Sequence, residues 1–183
     1  RVCTPRDKLD LDLALAGDHN LLNVLATVAV AEALELNHEI IQKGLWETQP
    51  VTGRLQPLLS KNGAWIINDS YNANPESVKA ALSVLHDLPG RHWLALGDLA
   101  ELGPQTVNLH RELGQEAKNA GLDHLWAVGP LSAETVSSFG EGGRWFPDKE
   151  ALSNALINAI GPQDVVLIKG SRSAGMEHIV QAL

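Results

Sequence analysis

A chain of 183 residues suffices for one full domain with its own core and a smaller piece beside it. Its 44% hydrophobic and 20% charged content excludes a disordered chain, and a formal charge of -8 argues against nucleic acid, whose phosphates need a basic face. The single cysteine, Cys3, closes no internal disulfide, the seven histidines fall at no metal-ligand spacing, and no apolar run reaches the roughly 20 residues of a bilayer span, so a cytoplasmic protein that contacts no membrane is expected.

Taken in chain order, residues 9–15 alternate apolar with polar or small side chains, which predicts a half-buried strand ended by Gly17. Apolar residues then recur at helical spacing over 20–34, with Asp18 or Asn20 as the cap, and a second short helix is expected over 37–46. Two prolines, Pro50 and Pro57, bracket a Gly53-Arg54 pair and read as a connection between domains, which sets the expected division at 1–48 and 49–183. Beyond it, apolar runs at 64–69, 92–97, 124–129 and 165–170 alternate with amphipathic stretches at 75–88, 106–120, 132–138, 149–160 and 174–183. Strand and helix in alternation predict an α/β domain, a parallel sheet covered by helices on both faces.

In open sheets of that kind ligands bind outside the carboxyl ends of the strands, so the residues following each strand carry the functional weight. Asp69-Ser70-Tyr71-Asn72-Ala73-Asn74-Pro75 leaves a strand and enters a helix. Asn74 as N-cap and Pro75 as first helical residue explain two of its members. The remaining carboxylate, ring and amide suit a nucleotide or a polar substrate. Lys169-Gly170-Ser171-Arg172-Ser173 follows the last strand with two cations, hydroxyls, a glycine and an expected helix start near Ala174, a pattern that suits a carboxylate or phosphate better than a merely solvated loop.

The other candidates are weaker. Gly97-Asp98-Leu99-Ala100-Glu101-Leu102-Gly103 carries carboxylates that repel phosphate and lacks dinucleotide-loop spacing, so its acidic residues read as structural or substrate-orienting. Asn20 and Asn23 stand one helical turn apart, where two amides serve equally as caps or as readers of a base edge. His110, Trp65, Trp93 and Trp126 are assigned no chemistry.

In order along the chain, G-D-H-N-x-x-N, G-R-L, N-D-S-Y-N-A-N-P, G-D-L-A-E-L-G and K-G-S-R-S-A-G-M-E strongly resemble the Mur ligases of peptidoglycan synthesis, over nearly the whole length from Leu9. The S-Y-N-A-N-P form resembles that of the branch joining D-alanyl-D-alanine to UDP-N-acetylmuramoyl-tripeptide. The resemblance implies an ATP-dependent ligation through an acyl phosphate, with the end of a central ATPase domain followed by a Rossmann-like C-terminal domain. It implies that Asn20 and Asn23 contact adenine, that Arg54 reaches the ATP phosphates, and that Asp69 holds the ribose or orients the nucleotide, Arg54 and Asp69 being the catalytic pair. Asn72, Asn74, Lys169, Ser171 and Arg172 then line the dipeptide side.

ATP and Mg2+ are the implied cofactors. The phosphate loop ending in Gly-Lys-Thr/Ser and the magnesium ligands of the family are expected upstream and are not in this sequence, so the chain alone is expected to be inactive, as part of a longer, monomeric enzyme. The rivals are a non-catalytic Rossmann-like binding module, and another Mur ligase or a folylpolyglutamate synthase, both of which differ over residues 71–74.

Overall fold

A computed structural model describes the backbone of residues 1–11, 13 and 17–183 and, among these, the side chains of all but 18 and 19. The chain divides into two compact units, Arg1–Pro50 and Val51–Leu183.

In the first unit a short antiparallel ladder joins β1 (Val2–Cys3) to β2 (Lys8–Leu9), and two helices follow, α1 (Asp18–Ala33) and α2 (His38–Trp46). Of the strand expected over 9–15, Leu9 lies in β2, while 12 and 14–16 fall outside the described residues. Helix α1 starts two residues earlier than its periodicity suggests: Gly17 occupies the cap position at φ 93, with no side-chain cap, and Asp18 is already helical. Val24, Val28 and Ala31 of α1 recur at helical spacing and pack with Ile41 and Leu45 of α2 and with Leu9. Asn37 caps α2 by accepting the Glu39 N–H at 2.8 Å.

The second unit is a six-stranded sheet in the order β3-β4-β8-β5-β6-β7. Its strands are β3 (Gln56–Leu59), β4 (Trp65–Asp69), β5 (Arg91–Gly97), β6 (His124–Val128), β7 (Gly143–Phe146) and β8 (Asp164–Lys169). All pairings are parallel except β3 with β4. Between them run α3 (Pro75–His86), α4 (Thr106–Asn119), α5 (Ser132–Phe139), α6 (Lys149–Ala159) and, at the end, α7 (Glu177–Ala182). The sequence reading misses β3 and β7, both edge strands of four residues: β3 carries Pro57, which has no N–H for a ladder, and β7 has two exposed members, Arg144 and Trp145.

Alternate strand residues feed two cores. Ile67, Leu94, Leu96, Val165 and Leu167 meet Val78, Leu82 and Leu85 of α3, Leu113 of α4 and Phe139 of α5. Ile66, Trp93, Ala95, Val166 and Ile168 meet Leu152 and Leu156 of α6 and Ile179 of α7. Every residue of β8 is buried, as befits a central strand covered on both faces.

This winding locates the site. The chain leaves β4 and β5 for helices on one face of the sheet, but leaves β8, which lies between them, for α7 on the other. Loops diverging to opposite faces open a crevice at the carboxyl ends of β4, β8 and β5.

Candidate functional site

The register sets Asp69, last residue of β4, beside Lys169, last residue of β8. Lys169 is only 2% exposed and its ammonium donates to Asp69 Oδ2 and, at 3.0 Å, to the Asn72 carbonyl. An isolated ammonium cannot be buried so deeply at tolerable cost, and the carboxylate opposite it supplies the compensating charge. The reading of Lys169 as a cation offered to a ligand acquires a different geometry here: it is spent on Asp69, and Arg172 is the exposed cation of that loop.

Asp69 Oδ1 accepts the Leu55 N–H at 3.1 Å, which ties the strand end to the preceding turn. That turn is strained: Gly53 has φ 77 and Leu55, a residue with a β-carbon, has φ 45. A Cβ on Gly53 would stand 3.1 Å from Tyr71 N, and the Tyr71 N–H donates to the Gly53 carbonyl at 3.0 Å. Arg54, exposed between these two residues, is therefore held against the 69–72 loop by a backbone hydrogen bond on one side and a carboxylate on the other.

Asn72 Oδ1 accepts from Ala73 N–H at 2.9 Å and Arg172 N–H at 3.2 Å, joining the loops after β4 and β8, and among the described residues its Nδ2 has no acceptor. Asn74 is an N-cap: its side chain accepts the Ser77 N–H at 2.8 Å while Ser77 Oγ accepts from Asn74 N–H at 3.0 Å, a reciprocal capping box. Ser171 Oγ donates to the Asp98 carbonyl at 2.6 Å, and its N–H donates there at 3.0 Å, which fastens the loop after β8 to the end of β5. The side chains of Asn20 and Asn23, in the first unit, face each other on α1, with Asn23 Nδ2 donating to Asn20 Oδ1 at 3.2 Å.

One expectation about the 169–173 loop is corrected. Residues 172–174 form a 3-10 turn and α7 begins only at Glu177, so no helix N-terminus stands directly behind Arg172, and the first turn of α7 already carries its own carboxylate. Gly170 serves packing: a Cβ there would meet Met176 Cγ at 2.6 Å.

Asp98 and His110 prove structural, and only the fold reveals their partners. The Asp98 carboxylate accepts from Ser132 N–H and Oγ, each at 2.7 Å, and from Leu131 N–H at 3.3 Å, so it caps α5 from the loop that follows β5. His110, fully buried, accepts the Leu99 N–H on Nε2 at 3.1 Å, which leaves Nδ1–H to donate to the Thr106 carbonyl at 2.8 Å. A carboxylate at the opposite sheet end, Asp164, is consumed by Arg91, the Trp93 indole and the Gly161 N–H.

Tyr71 also escapes the sequence reading as an organising residue. Its half-exposed ring lies under two guanidiniums, with Arg54 Cζ 4.6 Å and Arg172 Cζ 5.7 Å from the centroid. The crevice therefore presents two arginines, the free amide donors of Asn72 and a self-neutralised Asp69–Lys169 pair beneath them. That arrangement receives an anion, a phosphate or a carboxylate, and leaves the outer lone pairs of Asp69 for hydroxyl donors. Among the described residues no group of three His, Cys, Asp or Glu side chains converges as a metal site requires, and no helix is long and apolar enough to cross a membrane.

Residues 53–172 match the family model described as "Mur ligase, glutamate ligase domain". The chain is 40% identical over 182 residues to the UDP-N-acetylmuramoyl-tripeptide–D-alanyl-D-alanine ligase of Escherichia coli, covering 98% of this chain and 40% of that protein. A crystal structure of MurF from Acinetobacter baumannii superposes with a TM-score of 0.89 at 36% identity, over 97% of this chain and 40% of the other. The MurF ligase of Thermotoga maritima in complex with ADP matches with a TM-score of 0.81 at 26% identity, over 91% of this chain and 38% of the other. The chain thus spans about 40% of the length of the curated relatives it matches.

Proposed function

Because this chain belongs to the Mur ligase family, we propose that it supplies the C-terminal part of an ATP-dependent ligase that joins D-alanyl-D-alanine to UDP-N-acetylmuramoyl-tripeptide in cytoplasmic peptidoglycan synthesis. The observation that carries the choice of acceptor is the 40% identity, sustained over 182 residues, with the Escherichia coli enzyme of that name. The two units fit the roles of the end of an ATPase domain and of a substrate-receiving Rossmann-like domain.

The reaction has two steps. A tripeptide carboxylate oxygen attacks the γ-phosphorus of ATP, and ADP departs from the resulting acyl phosphate. The dipeptide amine then attacks the acyl carbon, loses a proton, and expels inorganic phosphate that carries the former carboxylate oxygen.

Each candidate residue takes the part its chemistry suits. Arg54, exposed and without a carboxylate partner among the described residues, binds the ATP phosphates, where negative charge builds in the first step. Asp69 accepts from ribose hydroxyls on the lone pairs left by Leu55 N–H and Lys169. Asn20 and Asn23 offer amides for adenine from the first unit. The Asn72 amide meets the dipeptide carboxylate, Arg172 beside it shares the Tyr71 ring with Arg54 and turns with it to the phosphates, Lys169 and Ser171 hold that loop in place, and Asn74 anchors the start of α3.

Magnesium does not fit the described residues. Its nearest candidate ligand, Asp69, already faces an ammonium, and no metal-holding cluster accompanies it. The metal's ligands are assigned to the portion of the relatives' length that this chain does not span.

The acyl-phosphate route is tested with the complete enzyme and tripeptide labelled with oxygen-18 in its reacting carboxylate. One labelled oxygen in the released phosphate per turnover is expected. Unlabelled phosphate together with product formation would rule the route out.

A further inference from the structure

We propose that Tyr71 is a positioning residue whose ring holds the guanidiniums of Arg54 and Arg172 together, so that a single polyanionic group meets both. The inference deepens the ligase reading and rests on it for the identity of that anion, an ATP polyphosphate.

Three observations carry it. Both Cζ atoms, at 4.6 and 5.7 Å, lie within the ~6 Å range in which a ring attracts a cation. Both arginines are also tied to the Tyr71 segment through backbone: the turn bearing Arg54 by Tyr71 N–H to Gly53 O, and Arg172 by its own N–H to Asn72 Oδ1. Finally, the local charge is unbalanced. Arg54 has no carboxylate partner among the described residues, Arg172 reaches only Glu177 at 3.4 Å, and Lys169 and Asp69 cancel each other. A chain of net charge -8 therefore keeps a small positive island around one ring.

Two arginines gathered about one ring repel each other, and a long side chain without a firm partner samples many rotamers. Contact with the ring offsets both effects while leaving the N–H forks free to bind oxygen. Tyr71 is the chain's one tyrosine, and it is 46% exposed, so its loss empties no core. Phenylalanine retains the face and is expected to replace it; an aliphatic residue is not.

The test uses this chain, inorganic tripolyphosphate as the probe, and the variants Tyr71→Phe and Tyr71→Leu. Calorimetric titration should give the Phe variant an affinity within about twofold of the parent and the Leu variant one about tenfold weaker, the loss of two cation–π contacts. Nitrogen-15 spectra of the arginine Nε–H groups should show ring-current shifts for Arg54 and Arg172 in the parent and in Tyr71→Phe, absent in Tyr71→Leu. Circular dichroism verifies that the Leu variant is folded, and Tyr71→Met serves in its place if it is not. Equal affinity in the parent and the aliphatic variant, absence of the ring-current shifts, or failure of the parent to bind tripolyphosphate would each overturn the proposal. A failure of the ligase reading shows elsewhere, as a complete enzyme that releases no phosphate with the dipeptide, and leaves this binding measurement unchanged.

Discussion

Replacing Lys169 with methionine removes the ammonium while keeping most of its volume. The Lys169 side chain is 2% exposed, so water does not enter the space its ammonium leaves, and among the described residues Asp69 retains only the Leu55 N–H as a donor. Breaking one half of a buried ion pair costs about 3–5 kcal/mol, against a total stability of about 5–15 kcal/mol for a domain. The Asn72 carbonyl loses its Lys169 donor as well, which loosens the loop that carries Arg172. If the cost comes from the abandoned charge, removing that charge too should recover most of it: the double variant Asp69→Asn, Lys169→Met is expected to regain at least about 2 kcal/mol over Lys169→Met alone. Denaturant unfolding followed by tryptophan fluorescence reads the second unit through Trp93 and Trp126, with separate transitions allowed for the two units. A single-variant loss under about 1 kcal/mol, the value of a solvent-exposed pair, or a double variant no more stable than the single, would refute the buried-pair reasoning.

Further outcomes follow from the same geometry. Arg54→Ala and Asp69→Ala, each in the complete enzyme, should lower kcat by at least about a hundredfold, the first by removing a cation that faces developing negative charge and the second by misplacing the nucleotide; steady-state phosphate release with unchanged turnover in both would remove these residues from the site. Gly53→Ala places a β-carbon at φ 77 and 3.1 Å from Tyr71 N, and is expected to cost about 1–3 kcal/mol in thermal or chemical unfolding. Asn74→Ala should cost about 1 kcal/mol through loss of the α3 cap. Asn74→Ser keeps a capping oxygen, so a raised KM for D-alanyl-D-alanine in that variant reads a binding role of the amide alone.

Long-period features of the second unit were legible in the sequence because they are local. Four apolar runs at strand length, separated by amphipathic helices, are enough to announce a parallel sheet, and the central strands carry the richest Val, Ile and Leu runs. The edge strands were not legible: β3 hides in a proline-bracketed connection and β7 in a glycine-rich one, and each becomes a strand only because a neighbour offers its free edge. The helix after β8 starts late because Gly175, at φ 62, breaks the run that periodicity alone extends back to Ala174.

The site divides in the same way. Strand-end residues such as Asp69, Lys169 and Arg172 stand out as chemical types in short loops. Which of them touch depends on strand order, and nothing in the local pattern says that β8 inserts between β4 and β5. The pairing of Lys169 with Asp69, the capping of α5 by Asp98 and the convergence of Arg54 and Arg172 on Tyr71 are all products of that order. Isolated residue chemistry therefore described Lys169 as a cation for a ligand, where the fold gives it a carboxylate of its own.

The central claim, a ligase specific for the dipeptide, is met most directly by measuring phosphate release from the complete enzyme given ATP, magnesium and UDP-N-acetylmuramoyl-tripeptide, with D-alanyl-D-alanine, D-alanine, L-glutamate or diaminopimelate as the amine. Release that requires the tripeptide and is supported by D-alanyl-D-alanine in preference to the single amino acids is the predicted result. Release supported by glutamate or diaminopimelate and not by the dipeptide, or no release with any of them, would contradict the account.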